Sequence, residues 1–203
     1  MNTLICLARM PEPGKVKTRI ADAAGHARAY EIYVELVKRC RALLESLDDS
    51  TEVEVSFAEP FDFVKGQTFF GTRPFFSQQA GGDLGQRMCV AAIRGFQSGA
   101  RKVVLIGSDC PELPAEYVKQ AFRILDEVPV VFGKAKDGGY YLLGMTRVVP
   151  ELFAELPWST SELLEQTIAR LTEAGIPHGL LPELGDIDTI EDWEEFSRRQ
   201  ATA

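Results

Sequence analysis

The chain has 203 residues, with 22 Lys and Arg against 30 Asp and Glu, for a formal charge of −8. That length buries a core of its own and fits one domain, 1–203, and 45% apolar and 26% charged residues are the proportions of an ordinary globular protein. The acidic balance argues against a nucleic-acid surface, which needs a basic face, and no apolar run approaches the ~20 residues of a membrane span.

Residues 1–8 hold no basic stretch and no cleavage signal, so export is not expected and a cytoplasmic location is. Residues 3–8 form a short apolar run, a strand that ends in the loop Arg9-Met10-Pro11-Glu12-Pro13-Gly14-Lys15-Val16-Lys17-Thr18-Arg19. A loop between a strand and a helix turns backbone N–H groups and the helix dipole toward an anion. Gly14 permits a tight approach, and Arg9, Lys15, Lys17 and Arg19 make a positive spot suited to one phosphorylated small molecule. The loop is neither a dinucleotide fingerprint nor a P-loop. Its plain alternative is a solvated basic turn.

Over residues 26–47, Tyr33, Leu36, Val37, Cys40, Leu43, Leu44 and Leu47 recur at helical spacing. Residues 53–58 alternate as a half-buried strand does, and 75–79 form a weaker candidate. Gln79, Gly81, Gly82 and Gly85 then offer an amide and bare backbone suited to a nucleobase edge, or a simple strand-to-helix turn. A helix opens at Asp83, with Leu84, Met88, Ala91, Ala92 and Phe96 on one face.

Residues 102–107 (KVVLIG) carry the clearest buried-strand signal and stop at Ser108-Asp109-Cys110-Pro111. A carboxylate at such a strand end suits Mg²⁺ or Mn²⁺, hard cations that bridge protein to nucleotide phosphates. Asp109 equally suits an Asx-type turn. A helix follows at 114–125, with Pro114 in its first turn. Strands at 129–132 and 140–145 are joined by the polar loop 133–139. There Asp137, Gly138 and Gly139 let a ligand or a neighbouring backbone come close, or make a hairpin-like turn.

Trp158 and Ser159 mark a candidate acceptor-side loop before a helix at 161–174, and 179–182 reads as a last short strand. Asp186 and Asp188 stand in an i, i+2 relation, which points both carboxylates to one side of an extended segment and toward one metal. Thr189 reads as the cap of a closing helix, with Glu191 and Asp192 in its first turn.

Cys6, Cys40, Cys89 and Cys110 form no CxxC pair and no zinc spacing, and read as small buried apolar residues. His26 and His178 are expected in surface turns, which leaves a His-centred metal site or a Ser-His triad without members. Alternating strand and helix predict an α/β fold with a mainly parallel sheet covered on both faces. Ligands of such sheets bind beyond the carboxyl ends of the strands.

Six segments occur in a characteristic order: P-x-P-G-x-V-K-T-R (11–19), G-G-D-L-G-x-R-M (81–88), V-V-L-I-G-S-D-C-P-x-L-P (103–114), D-G-G-Y-Y-L-L-G (137–144), P-W-S-T (157–160) and D-I-D-T-x-E-D (186–192). Together they resemble a bacterial group assigned as glycosyltransferases, some named for arsenosugar biosynthesis, in the nucleotide-diphospho-sugar transferase superfamily. A more distant similarity runs to nucleotidyltransferases.

The resemblance implies a three-layer α/β/α sandwich of glycosyltransferase A type, with a Rossmann-like mixed sheet containing one antiparallel strand. It implies that Asp109 is the metal-binding aspartate, that Asp188 is a second carboxylate ligand assisted by Asp186, and that the ion is Mg²⁺ or Mn²⁺. It further implies that Lys15, Lys17 and Arg19 wrap the nucleotide phosphates and that residues 81–85 contact the base. The chain departs from the pattern at Arg9, where relatives often carry Lys, and its 11–19 loop has less glycine than the nucleotidyltransferase type.

The expected activity is metal-dependent transfer of a sugar from a nucleotide donor to a small-molecule acceptor. Lys17 stabilises the departing charge and Asp137 is the candidate acceptor base. The alternatives are nucleotidyl transfer from an NTP to a phosphorylated small molecule, releasing pyrophosphate, and a nucleotide-binding module without turnover.

Overall fold

A computed structural model describes residues 1–154, 156–158 and 160–201. The elements run β1 (Asn2–Ala8), α1 (Thr18–Ala24), α2 (His26–Ser46), β2 (Thr51–Phe57), α3 (Phe63–Phe70), β3 (Phe75–Gln78), α4 (Leu84–Gln97), β4 (Lys102–Gly107), α5 (Ala115–Ile124), β5 (Val130–Ala135), β6 (Tyr140–Met145), α6 (Leu163–Glu173), β7 (His178–Leu184) and α7 (Ile190–Ala201). The strands form one seven-stranded sheet in the order β3-β2-β1-β4-β6-β5-β7. β6 runs antiparallel to β4 and β5, and the remaining pairs are parallel.

Strand alternation sorts the core into two layers. Leu4, Cys6, Val104, Ile106 and Leu142 face α1, α2, α5 and α7. Ile5, Val103, Leu105 and Leu143 face α4 and α6. The fold is therefore the three-layer α/β/α sandwich, with the one antiparallel strand that the resemblance implied.

Several elements depart from the sequence expectation for local reasons. α3 has no clear amphipathic stripe, because Gly66 interrupts it. It is held by Asp62, whose carboxylate accepts from the Lys65 N–H at 2.9 Å, and by a cluster of Phe57, Phe61, Phe70 and Phe76. β5 extends through Ala135, three residues past expectation. β7 is a seven-residue edge strand that tolerates Pro182, and it begins at His178, which is a strand residue packed 6.1 Å from the Phe132 ring rather than a turn residue. α6 starts at Leu163, not at 161, because the Leu164 N–H is taken by the Gly138 carbonyl at 3.0 Å. The Thr189 cap is as expected, and Asp192 makes it reciprocal. Thr189 Oγ1 accepts from the Asp192 N–H at 3.2 Å, and Asp192 Oδ2 accepts from the Thr189 N–H at 2.7 Å.

Candidate active site

The carboxyl edge of β1 and β4, beside the amino end of the antiparallel β6, opens into a cleft of about 520 Å³. Three loops build its floor. The first follows β1 and is pinned from below by Tyr33 of α2, whose hydroxyl accepts from the Arg9 N–H at 2.9 Å and donates to the Arg9 carbonyl at 3.0 Å. The same oxygen lies 3.2 Å from Ser108 Oγ, so one buried phenol joins the ends of β1 and β4. Burial pushes that phenol far above its ordinary pKa, which keeps it a neutral hydrogen-bonding post. Sequence reading placed Tyr33 only on the apolar stripe of its helix.

Val16, 1% exposed, anchors the middle of the loop in the core. Lys17 follows in the left-handed region (φ 49°, ψ 54°), the only non-glycine residue at positive φ among those described. That conformation costs energy, and here it turns the lysine inward. Its side chain is 7% exposed, with Nζ 3.0 Å from Asp109 Oδ1 and donating to the Ile187 carbonyl at 2.5 Å. Arg19 pairs with Asp188. The Ile187 N–H donates to the Asp109 carbonyl at 2.9 Å, tying the β7 loop to the β4 loop.

Asp109, Asp186 and Asp188 are thus gathered at one edge with Lys17 and Arg19. The Asp186 carboxyl is pushed up to about 6, first by burial and then by the charge of Asp137, with Asp109 adding to it and Lys17 opposing it. Asp137 lies in the β5–β6 hairpin and folds Oδ1 back onto the Gly139 N–H at 2.8 Å. A smaller recess of about 430 Å³ adjoins the cleft and shares Arg19, Asp137, Asp186 and Asp188 with it.

Other residues singled out in the sequence sit differently. Arg9 lines the cleft and pairs with Glu59. Lys15 is 68% exposed, pairs with Glu12 at 2.6 Å and, like Gly14, does not line the cleft. Gln79 lines the cleft, but its amide nitrogen donates to the Ser56 carbonyl at 2.7 Å and reaches the Ala8 carbonyl at 3.4 Å, and its Oε1 accepts from Arg87 at 3.5 Å.

Gly82 (φ 105°) makes room for Gln86, which closes a capping box with Asp83; a Cβ there would meet Gln86 Oε1 at 1.9 Å. Gly81 is open to solvent. A Cβ on Gly85 would lie 2.2 Å from Trp158 Cζ2, so this glycine is buried under the indole. Gly138 (φ 88°) fits against the Ser161 backbone, whose carbonyl would be 2.0 Å from an added Cβ. Gly139 and Trp158 line the cleft. Ser159 lies outside the described residues.

Among the described residues no three Asp, Glu, His or Cys side chains group into a preformed metal cage. The donor set still fits a Mg²⁺-like ion, which is held by one or two carboxylates and takes its other ligands from phosphate and water. Asp109 and Asp188 offer such oxygens beside Asp186, whose proton affinity is raised first by burial and then by its like-charged neighbours.

Residues 45–160 match the family described as "Uncharacterized protein conserved in bacteria (DUF2064)". The chain belongs to this family. Among solved structures, the DUF2064 chain is similar to a candidate nucleotide-diphospho-sugar transferase from Desulfovibrio desulfuricans G20. The two are 32% identical with a TM-score of 0.88, over 98% of this chain and 88% of that one. It shares its fold with the inositol-1-phosphate CTP transferase from T. maritima (16% identity, TM-score 0.61, 95% and 91% of the two chains). The same holds for CMP:2-keto-3-deoxy-manno-octonic acid synthetase complexed with CTP (14%, TM-score 0.60, 100% and 99%). No curated protein matches the chain. The fold is that of the nucleotide-diphospho-sugar transferase superfamily. Among the described residues, no helix is long and apolar enough to cross a membrane.

Proposed function

We propose that this DUF2064 chain is a metal-dependent glycosyltransferase that moves a sugar from a nucleotide donor to a small-molecule acceptor. The observation that carries the reading is the cross-linked edge itself. Lys17 at the end of the β1–α1 loop and Arg19 in the first turn of α1 pair with Asp109 and Asp188 on two other loops, and all of them line one cleft. The similarity to the Desulfovibrio transferase supports it.

Nucleotide phosphates entering this edge exchange places with the carboxylates now held by Lys17 and Arg19, so both cations pass from acid to phosphate without moving far. Asp109 and Asp188, with Asp186 beside them, would hold a Mg²⁺ or Mn²⁺ ion, which supplies charge neutralisation at the departing diphosphate. Lys17, fixed by its left-handed backbone and by the Ile187 carbonyl, adds preorganised positive potential there. Asp137 keeps Oδ1 on the Gly139 N–H, and its Oδ2 is the atom that would take the proton of an acceptor hydroxyl.

A second reading is nucleotidyl transfer, favoured by the shared fold of the two CTP-using enzymes. Incubation with nucleotide sugars and with NTPs, each with Mn²⁺ and an acceptor panel, separates them. Release of nucleoside diphosphate supports glycosyl transfer and release of pyrophosphate supports nucleotidyl transfer. Binding of nucleotide with release of neither over the whole panel would contradict both and leave a nucleotide-binding module.

A further inference from the structure

Arg9, Lys17, Arg19 and Arg87 line the cleft. The first three are neutralised where they stand, by Glu59, Asp109 and Asp188. Arg87 has no carboxylate partner among the described residues. Its Nε reaches the Asp83 carbonyl at 3.3 Å and its Nη1 reaches Gln79 Oε1 at 3.5 Å.

A counter-ion is close at hand and is used elsewhere. Asp83 stands four residues before Arg87, the spacing and order of a favourable helical ion pair. Its carboxylate instead accepts from the Gln86 N–H at 2.8 Å and closes the capping box of α4. Arg87 is partly buried and lies in the first turn of α4, where the helix dipole disfavours a cation. A guanidinium so placed costs free energy until an anion joins it.

The neighbouring amide fixes where that charge sits. Gln79 Nε2 is held by the Ser56 carbonyl at 2.7 Å and the Ala8 carbonyl at 3.4 Å, both at the ends of strands, so Oε1 is turned to Arg87. A guanidinium has a planar fork of five N–H donors, and the two contacts of Arg87 are both long. The fork therefore keeps donors for a planar or tetrahedral oxyanion. Arg87 also stands apart from Lys17 and Arg19. Those two enter with the β1–α1 loop and α1, over the first core layer, and are matched to the acids of the sheet edge. Arg87 enters from α4, over the second layer, beside Leu84, Met88 and Trp158.

We propose that Arg87 binds a second oxyanion, a carboxylate or phosphate of the substrates other than the diphosphate at the metal edge. The inference rests on the reading of the cleft as a nucleotide-dependent transferase site, and it makes one of the two substrates acidic. The acid belongs either to the sugar that is moved or to its acceptor, and the guanidinium fork recognises both in the same way.

The test uses the full chain with Mg²⁺ and whichever of the four common nucleoside diphosphates raises the melting temperature most. Inorganic phosphate and acetate are titrated onto the protein saturated with it, and melting temperature and heat of binding are followed. One or both are expected to stabilise the protein further, by an amount that grows with the logarithm of concentration. Arg87→Met is expected to weaken this second binding about tenfold or more and to change affinity for the diphosphate by less than about twofold. Arg87→Lys keeps the charge and loses the fork, so its affinity should fall between the two. Repeating the titration on the corresponding nucleoside diphosphate glucose names the source. Exclusion of the anion by the bound glucose assigns the acid to the sugar, and undiminished binding assigns it to the acceptor.

The free protein gives a second readout. Arg87→Met is expected to hold or raise its melting temperature, because an unpaired cation leaves the first turn of α4; an arginine that serves packing alone would lower it. Absence of any second binding, second binding unchanged in Arg87→Met, or a loss that falls equally on the diphosphate would overturn the second oxyanion and leave the nucleotide reading standing. Phosphate or acetate binding that is lost in Arg87→Met, with no stabilisation by any nucleotide, would keep the anion site and remove the transferase reading.

Discussion

The 9–19 loop and the glycine turns at 81–85 and 137–139 border the same cleft but are held by different forces. In the first, charged side chains reach across the sheet edge to acids on other loops, Lys17 to Asp109 and Arg19 to Asp188. In the turns, the space left by missing side chains is filled by the protein's own atoms: Gln86 at Gly82, Trp158 at Gly85 and the Ser161 backbone at Gly138. The ion pairs are partners a ligand can replace. The packed glycines are joints that hold the cleft walls in place. Substitutions in the first region should therefore change chemistry more than stability, and substitutions in the second should do the opposite.

The largest expected effect is on turnover. Lys17→Met removes a preorganised charge from the cleft and should lower kcat by about 10²–10³, roughly 3–4 kcal/mol of transition-state stabilisation, with a far smaller change in melting temperature. Steady-state kinetics alongside calorimetry checks both halves. A collapse of stability with kcat retained would erase the distinction between the regions. Gly138→Ala comes next. Its Cβ meets immovable backbone at positive φ, so a loss of about 2–4 kcal/mol is expected, a drop on the order of 10 °C, while the protein that remains folded still binds nucleotide.

Tyr33→Phe is intermediate, because it removes the post that joins Arg9 to Ser108. It should cost about 1–2 kcal/mol in denaturant titration and raise KM for the nucleotide more than it lowers kcat.

The smallest effect is a pH dependence within the acidic group. The folded-state pKa of Asp186 stands at about 6 against an ordinary 3.8. Its stabilising contribution is therefore complete below about pH 4 and is lost as pH rises through 6. Asp186→Asn in EDTA should gain melting temperature over the wild type at pH 7.5 and gain little at pH 4. An equal gain at both values would mean that the acids do not crowd one another.

The division between legible and illegible features follows the same physics. β1 and β4 are continuous apolar runs because they are buried on both faces, and α2 and α4 show full helical stripes, so these elements were plain in the sequence. β7 was cut short by Gly179 and Pro182, which an edge strand tolerates, and α3 is shaped by phenylalanine packing rather than by periodicity. In the cleft, the charged residues carried their chemistry in their names, and the fold had only to gather them. Glycine names no neighbour. Nothing in the letters distinguishes a glycine that admits a ligand from Gly85, which admits Trp158. Tyr33 was hidden for a related reason, since a tyrosine on a helix stripe reads as core until its hydroxyl is located.

The most direct test of the account is a thermal-shift titration of nucleoside diphosphates with Mn²⁺ and with EDTA, on the wild type and on Asp109→Asn. The stabilisation expected is one that grows with the logarithm of ligand concentration above Kd, depends on Mn²⁺ and disappears in the variant. The same shift in EDTA, or in Asp109→Asn with Mn²⁺, would contradict it.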